Sequence, residues 1–378
     1  MPLFLPSLLR QTSASPLKTP APLATAALRL VSRRQWLGTS AAAAWAAALH
    51  PLGAAANELP AGPVSAPDAA LPAAAAPQPP AAPPVRTQRR VATLMIVGGA
   101  EDRLQDRVIL RNFVARSGGP AARILVCTAA SGSPQAAWEG YQQVFEDLGV
   151  AQCEHLNLRH PDEANQEAVV AQILAADGIW IGGGDQRRLM ATLWETAAAR
   201  ALHLAFHVRG AHIGGTSAGA AAMSRHMLAI GEAAPRPEKD MVSADIGLGL
   251  LSSAIVDQHF SERGRLGRLL SAMAQRPDLL GVGVDEDTAL LIERGVGLEV
   301  IGSGNVTLVD GRRMDTNFHE LGPAERLQMV GVQLHLLPSG ATYRLTPPQP
   351  TQPAQPSDIP KQLREVLALL VAPGPIRG

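Results

Sequence analysis

Ala211-His212-Ile213-Gly214-Gly215-Thr216-Ser217-Ala218-Gly219-Ala220-Ala221-Ala222 is the stretch on which the fold of this chain turns. Ala211 to Gly214 reads as a short strand, and the alanine-rich segment after Gly219 suits a helix. Between them, Gly215-Thr216-Ser217-Ala218-Gly219 has the Gly-x-Ser-x-Gly spacing of a sharp strand-to-helix turn. Small residues on either side of the serine relieve crowding, and the turn pushes the hydroxyl out at the carboxyl end of a sheet. The helix that follows presents backbone amides to a developing oxyanion. The same pentapeptide also fits a plain strand–helix turn, so alone it leaves both readings open.

Working outward, apolar runs alternate with amphipathic segments. Val91 to Val97 is a continuous apolar strand stopped by Gly98-Gly99, and Leu104, Val108, Phe113 and Val114 suit one helical face. Ile124 to Cys127 is the next strand, and Pro134 to Leu148 reads as a helix with proline in its first turn. Leu156 and Leu158 fall in a third strand, Ala164 to Ala175 is helical, and Gly178 to Ile181 is a fourth strand. This alternation predicts an α/β fold, a mostly parallel sheet with helices on both faces. After Leu280 the pattern changes: Thr288 to Ile292, Leu298 to Ile301 and Val306 to Val309 are short strands between Gly and Asp turns, an antiparallel extension.

The chain has 378 residues, 46% hydrophobic and 17% charged, ample for a folded core. Its 33 basic and 33 acidic residues balance. A neutral chain gives no electrostatic reason to expect nucleic acid or an anionic membrane surface as partner. The two cysteines, Cys127 and Cys153, suit neither a disulfide scaffold nor a zinc cluster and read as buried free thiols. A flavodoxin-like 2-1-3 strand order would put them on strands separated by the first strand, about 10 Å apart and beyond disulfide reach.

The ends of the chain are set apart by composition. Arg33-Arg34 precede an apolar run from Ala41 to Leu49, and Ala54-Ala55-Ala56 offers a small-residue cleavage site. Residues 1–56 therefore resemble a twin-arginine export signal, with a disordered Ala-rich leader as the bland alternative. The apolar run is too short for a permanent span, and no stable membrane anchor is expected. Residues 57–88, dominated by Ala and Pro, read as a linker. The folded unit is expected over 89–346. A Pro-rich tail over 347–378 follows, in which Lys361 to Val371 reads as a short docking helix.

A serine hydroxyl needs a base. His203 and His207, four apart on a predicted helix, lack a third metal ligand, and His212 sits within a strand; all three read as structural. His259 differs. It closes the run Ala254-Ile255-Val256-Asp257-Gln258 and is followed by Arg263, Arg265 and Arg268. Arginines at a strand end suit an anionic ligand, because guanidinium pairs bidentately with carboxylate; a solvated helix face fits them equally. Asp285-Glu286-Asp287 end another apolar strand, and one of those carboxylates could orient the histidine. Gly182-Gly183-Gly184-Asp185-Gln186 follows a further strand, where glycines let the backbone approach a ligand.

Together these pieces resemble the cyanophycinases, in peptidase family S51. The motifs fall in the family's order: Val97 to Asp102, Gly182 to Gln186, Gly214 to Ala220, Asp257 to Arg268, Gly283 to Thr288, and Gly302-Ser303-Gly304. The resemblance implies a class I glutamine amidotransferase-like (flavodoxin-like) fold and a triad of Ser217, His259 and Glu286. It implies substrate-site roles for Gln186, Asp257, Gln258, Arg263, Arg265 and Arg268. The amide of Ala218, with one from Gly183, Gly184 or Asp185, would hold the oxyanion. The activity implied is an exported serine exopeptidase that cleaves cyanophycin, an arginine-decorated poly-aspartate, to β-Asp-Arg dipeptides without metal or organic cofactor. A dipeptidase acting on other β-linked aspartyl peptides and a non-catalytic binding homologue are the rivals. A homodimer stays open.

Overall fold

The computed structural model describes residues 91–345 and 359–372. The expected signal at 1–56, the linker at 57–88 and the Pro/Gln tract of the tail lie outside the described residues. The strands are β1 (Thr93–Val97), β2 (Arg123–Cys127), β3 (Gln152–Leu156), β4 (Gly178–Ile181), β5 (His212–Thr216), β6 (His226–Gly231), β7 (Val242–Ile246), β8 (Ala254–Gln258) and β9 (Leu280–Val284). They continue with β10 (Thr288–Glu293), β11 (Gly297–Gly302), β12 (Asn305–Asp310), β13 (Asp315–Thr316), β14 (Met329–Val330), β15 (Gln333–Pro338) and β16 (Thr342–Arg344). The helices are α1 (Val108–Ser117), α2 (Pro134–Asp147), α3 (Glu167–Ala175), α4 (Gln186–Leu193), α5 (Ala197–Leu204), α6 (Ala218–Ala222), α7 (Leu266–Gln275) and α8 (Lys361–Val371).

The large sheet has eight strands in the order β16-β11-β10-β1-β5-β4-β2-β3. Strands β1 to β5 run parallel, and β10, β11 and β16 extend the sheet antiparallel from β1. Both faces are covered, which is why β1 (Thr-Leu-Met-Ile-Val) and β4 (Gly-Ile-Trp-Ile) are apolar throughout and buried along their whole length. Leu94, Ile96, Leu125 and Ile213 pack in the cluster on one face; Met95, Val97, Val126 and Trp180 pack in the cluster on the other. The α/β class with its antiparallel extension is as the sequence predicts. The 2-1-3 order is not: β2 and β3 are neighbours, in register Ile124 with Cys153 and Cys127 with Leu156. The two cysteines sit three residues out of register and on opposite faces of the sheet, Cys127 with Leu125 and Cys153 against Val126. The thiols stay free for that reason, and Cys153 is only partly buried.

A second sheet, β15-β12-β9-β8, stands apart from the first. β8 and β9 pair parallel, and β12 pairs antiparallel with β9. β12 thus belongs here and not to the extension of the large sheet. Val256, Val282 and Leu308 of this sheet share a core with Ile96 and Ile213 of the large one, so the two sheets are packed into one body.

Local chemistry sets the element ends. Helix α1 begins at Val108, not at Leu104, which is 86% exposed. The Asp102 carboxylate takes the backbone N–H groups of Leu104, Gln105 and Arg107 and holds that segment as a turn. Those bonds, the Arg107 N–H first, hold the Asp102 carboxyl down to about 2. Pro134 opens α2, and the Asp185 carboxylate caps α4 at Arg187 N–H, 2.8 Å. Helix α8 buries Leu363, Val366, Leu367 and Leu370, a 3-4 spacing, in the core that holds Leu298 and Val300 of β11. Among the described residues no helix is long and apolar enough to cross a membrane.

Candidate active site

Strand β5 lies between β1 and β4, fully buried, and delivers Ser217 at its carboxyl end. Ser217 has φ 52° and ψ −112°, a conformation that a residue with a side chain holds only under constraint. Its N–H donates to Val97 O at 3.0 Å, across the end of β1. Helix α6 then turns back so closely that a Cβ at Gly219 would meet the backbone of Ile181 at 2.9 Å or less. The small residues of the pentapeptide are thus required by strand–helix approach, and the serine is left half-buried at the surface.

His259 and Glu286 arrive from the second sheet, one past the end of β8 and the other two past the end of β9. His259 also has a left-handed backbone, φ 46°, and its N–H donates to Gly98 O at 2.8 Å. Its Nε2 lies 2.8 Å from Ser217 Oγ, and its Nδ1 lies 2.5 Å from Glu286 Oε1. With Nδ1–H donated to the carboxylate, Nε2 is the acceptor for the serine hydroxyl. Burial pulls the His259 pKa below its ordinary value; the Glu286 bond opposes this, and the charges of Arg263 and Arg265 reinforce it. The imidazole is therefore neutral at pH 7, the form that can take a proton from serine.

Asp285, Glu286 and Asp287 separate by function of position. Asp285 is buried; its Oδ1 accepts from Ser261 N–H (3.1 Å) and Ser261 Oγ (2.5 Å), and its Oδ2 from Asn305 N–H (3.0 Å). Asp287 accepts from Asp102 N–H at 2.9 Å. Glu286 is the acid that meets the histidine.

The arginines divide in a way the sequence pattern does not show. Arg268 turns inward: Nε and Nη2 grip the Asp257 carboxylate at 2.8 and 2.5 Å, and Nη1 donates to Gly231 O. Arg265 also reaches Asp257, at 3.4 Å, and donates to the backbone and side-chain oxygens of Gln258. Asp257, Gln258, Arg265 and Arg268 are all buried. Against the expectation that all four face a ligand, Asp257 and Arg268 are paired with each other. Burial pushes Arg265 down to about 10. Arg263 is exposed, with its charge felt at His259. Gln186 opens α4 and donates its amide to Leu228 O (3.0 Å) and Ala229 O (3.3 Å) on β6.

The loop after β4 also needs one correction. The Asp185 N–H is already donated to Ala130 O at 2.9 Å, so it cannot serve an oxyanion. Gly183 is the residue of that loop against the serine: a Cβ there would stand 3.3 Å from Ser217 Cβ and 3.8 Å from Oγ. Gly184 is exposed, next along the same loop.

The family model described as Peptidase family S51 matches residues 94–299, more than half of the chain. The chain belongs to peptidase family S51. Among curated relatives of this S51 peptidase, the cyanophycinase of a Nostoc species is 39% identical over 265 residues, 69% of this chain and 88% of that protein. The cyanophycinase of Synechococcus elongatus is 40% identical over 253 residues, 67% of this chain and 79% of that protein. A solved peptidase from an acI-B1 actinobacterium is similar at 20% identity and a TM-score of 0.49, over 68% of this chain and 98% of that one. Membership makes the chain a serine-type peptidase.

Sequence reading missed Gly99 in this S51 site. Gly99 has φ 106°, and a Cβ there would fall onto the imidazole of His259, 2.5 Å from Nε2. In sequence, Gly98-Gly99 reads only as a strand stop; no local pattern says which ring a glycine lies under. His203, His207 and His212, read from sequence as structural, each have a partner within the protein. His203 contacts Leu248 O at 2.7 Å, His207 Nδ1 accepts from Arg294 at 3.0 Å, and His212 Nδ1 accepts from Thr93 N–H at 3.2 Å.

Proposed function

We propose that this S51 peptidase hydrolyses cyanophycin, with Ser217 as nucleophile, His259 as general base and then acid, and Glu286 as the residue that orients and stabilises the imidazolium. The observation that carries the reading is the continuous chain Ser217 Oγ to His259 Nε2 at 2.8 Å and His259 Nδ1 to Glu286 Oε1 at 2.5 Å. The relatives named cyanophycinase supply the substrate class.

The chemistry follows from the geometry. His259 Nε2 takes the Oγ proton as Ser217 attacks a backbone carbonyl of the poly-aspartate chain. The carbonyl electrons move to oxygen, and the amides of Ala218 and of Gly183 or Gly184 stabilise that oxyanion; one such donor is typically worth about 3 kcal/mol. His259 passes its proton to the leaving amine as the C–N bond breaks. Water, deprotonated by His259, then cleaves the acyl-enzyme and frees the new carboxylate. Arg263, exposed near His259, supplies a cation for the free carboxylates of the substrate. Asp257 and Arg268, with Gln258 and Arg265, form the floor that carries these groups.

The test is to incubate the purified full chain with cyanophycin and measure product mass. β-Asp-Arg dipeptide is expected from the wild type and none from Ser217→Ala. Turnover by Ser217→Ala equal to wild type sinks the nucleophile assignment; cleavage of short aspartyl peptides with the polymer untouched moves the substrate to the dipeptidase class.

We also propose export by the twin-arginine route to the periplasm or beyond, supported by Arg33-Arg34, the apolar run and the Ala54-Ala55-Ala56 site. Arg33-Arg34→Lys-Lys should trap activity in the cytoplasm. Unchanged fractionation overturns the export reading and leaves the catalytic one standing.

A further inference from the structure

The segment Val97 to Arg103 contacts every element that brings a reacting group to the site. Val97 O accepts from Ser217 N–H, Gly98 O accepts from His259 N–H at 2.8 Å, and Gly99 O accepts from Asp287 N–H at 2.8 Å. Within it, Glu101 is 4% exposed and its side chain is fully covered. Its Oε1 accepts from Arg103 Nη2 (2.7 Å), Arg103 Nε (3.1 Å) and the Tyr141 hydroxyl (2.7 Å). Its Oε2 accepts from Thr216 Oγ1 at 2.5 Å. Thr216 is the last residue of β5, next to Ser217.

We infer that Glu101 is a positioning residue for Ser217, acting through Thr216 to hold the strained nucleophile turn in the geometry that faces His259. The inference rests on the proposed role of Ser217. Four donor contacts converge on one carboxylate, and a carboxylate is acceptor-only, so the charge and not merely the shape is matched. Arg103 neutralises that charge, which keeps a bare anion from opposing the oxyanion formed at the neighbouring serine. Both carboxylate oxygens are engaged and the side chain is fully covered, so Glu101 is out of reach of substrate as a second base. Burial raises the Tyr141 hydroxyl well above its ordinary value, and it remains a donor throughout the working pH range. A residue with φ 52° persists only where its surroundings over-determine it. The Val97 carbonyl fixes the Ser217 backbone from one side, and the Glu101–Thr216 bond fixes the residue before it.

The test uses the full chain with Glu101→Gln, Thr216→Val and Thr216→Ser. Glu101→Gln turns a donor toward a donor, Thr216→Val keeps shape and deletes the hydroxyl, and Thr216→Ser keeps the hydroxyl. Folding is checked by near-ultraviolet dichroism, Ser217 reactivity by its rate of labelling with a fluorophosphonate, and turnover on a soluble β-Asp-Arg oligomer. Since displacements of order 1 Å cost up to about 100-fold, kcat and labelling rate should fall by about 10- to 100-fold in Glu101→Gln and Thr216→Val. KM should stay within about twofold, the split expected when only the reacting geometry is lost. Thr216→Ser should recover most of the loss, and the acid limb of the pH profile should not move. If Glu101→Gln does not fold, the two Thr216 variants decide. Folded variants that turn over and label like the wild type overturn the inference. So does a Thr216→Ser variant no better than Thr216→Val. A wild type that releases dipeptide without ever labelling at Ser217 overturns the reading of the site itself, and this inference with it; a labelled wild type with unaffected variants overturns this inference alone.

Discussion

Asp257→Asn separates a buried organising charge from a substrate contact. The Asp257 side chain is 0% exposed, and the guanidinium-bearing side chains of Arg268 and Arg265 are 8% and 10% exposed. The substitution keeps the shape of the carboxylate and removes its charge, so two buried cations lose their counter-ion. Breaking one partner of a buried pair costs about 3–5 kcal/mol. The lower end applies here, because Arg268 keeps its bond to Gly231 O and Arg265 keeps Gln258. About 3 kcal/mol is a large share of a total stability of about 5–15 kcal/mol. For a domain of this size each kcal/mol moves Tm by about 2–4 °C, which gives a loss of about 6–12 °C. Thermal unfolding of the full chain followed by circular dichroism measures it, with Arg263→Ala as the exposed control; surface charge changes stay within about 0.5 kcal/mol. An Asp257→Asn protein with unchanged Tm and abolished turnover would refute the reasoning. It would return Asp257 to the substrate, where the family resemblance had put it.

Three further outcomes are expected. Activity should fall as pH drops through the His259 pKa; burial with Arg263 and Arg265 puts that acid limb below 6.5, and Arg263→Met should move it upward in kcat/KM profiles, whereas a downward shift contradicts the electrostatic account. Gly99→Ala puts a methyl where the His259 ring lies, so turnover should fall by at least about 100-fold, and a crystal structure should show the imidazole displaced; wild-type kcat would mean the loop yields freely. Burial pushes the Cys127 and Cys153 thiols to about 11 and about 12, so both should resist iodoacetamide in the native protein and react after unfolding in urea; rapid native labelling of Cys153 would show that its side of the sheet opens.

What could be read from sequence was whatever depends on local burial. β1, β2 and β4 are covered on both faces, so they are apolar without alternation and stand out as runs. The turn at Ser217 stands out because small residues must sit where strand and helix nearly touch. The strand-end position of His259 was legible for the same reason: β8 is buried along its length and stops at a polar residue. Pairing partners were not legible. Whether β3 lies beside β2 or beyond β1, and whether β8 and β9 join the large sheet, depends on contacts far apart in the chain. The fate of the charges was also hidden. Asp257, Arg265 and Arg268 have the same spacing whether they face solvent or each other, and it is the turn from 260 to 265, folded back by Arg265 N–H to Phe260 O, that aims them inward. Helix α8 was readable as a helix, but its seat against β11 was not, since a Pro-rich tract says only that something is detached from what precedes it.

The choice of glutamate among three adjacent acids is a consequence of strand register. β8 and β9 pair in parallel with Gln258 level with Val284, so the residues just beyond them, His259 and Asp285, would be level if both strands simply continued. They do not continue. Asp285 is drawn away by Ser261 and by Asn305 at the start of β12, and Asp287 is drawn toward Asp102 and Gly99. Each flanking acid is anchored on an opposite side, which leaves Glu286 at the crest between them, and its longer side chain spans to Nδ1. A slip of one residue in β9 would turn Val282 and Val284 onto the opposite face, where Gly281 and Gly283 now lie against Leu269, Met273 and Phe260 and leave no room for a larger side chain. The acid's identity is therefore protected by apolar packing several residues away from it. Ser217 follows a strand of the large sheet, while His259 and Glu286 follow adjacent parallel strands of the second, β8 and β9, which are also consecutive in the chain. The 2.8 Å contact between Ser217 and His259 crosses from one sheet to the other. Its length is set by the shared core of Ile96, Ile213, Val256 and Val282 and by the β1 carbonyls that bind both strands' ends.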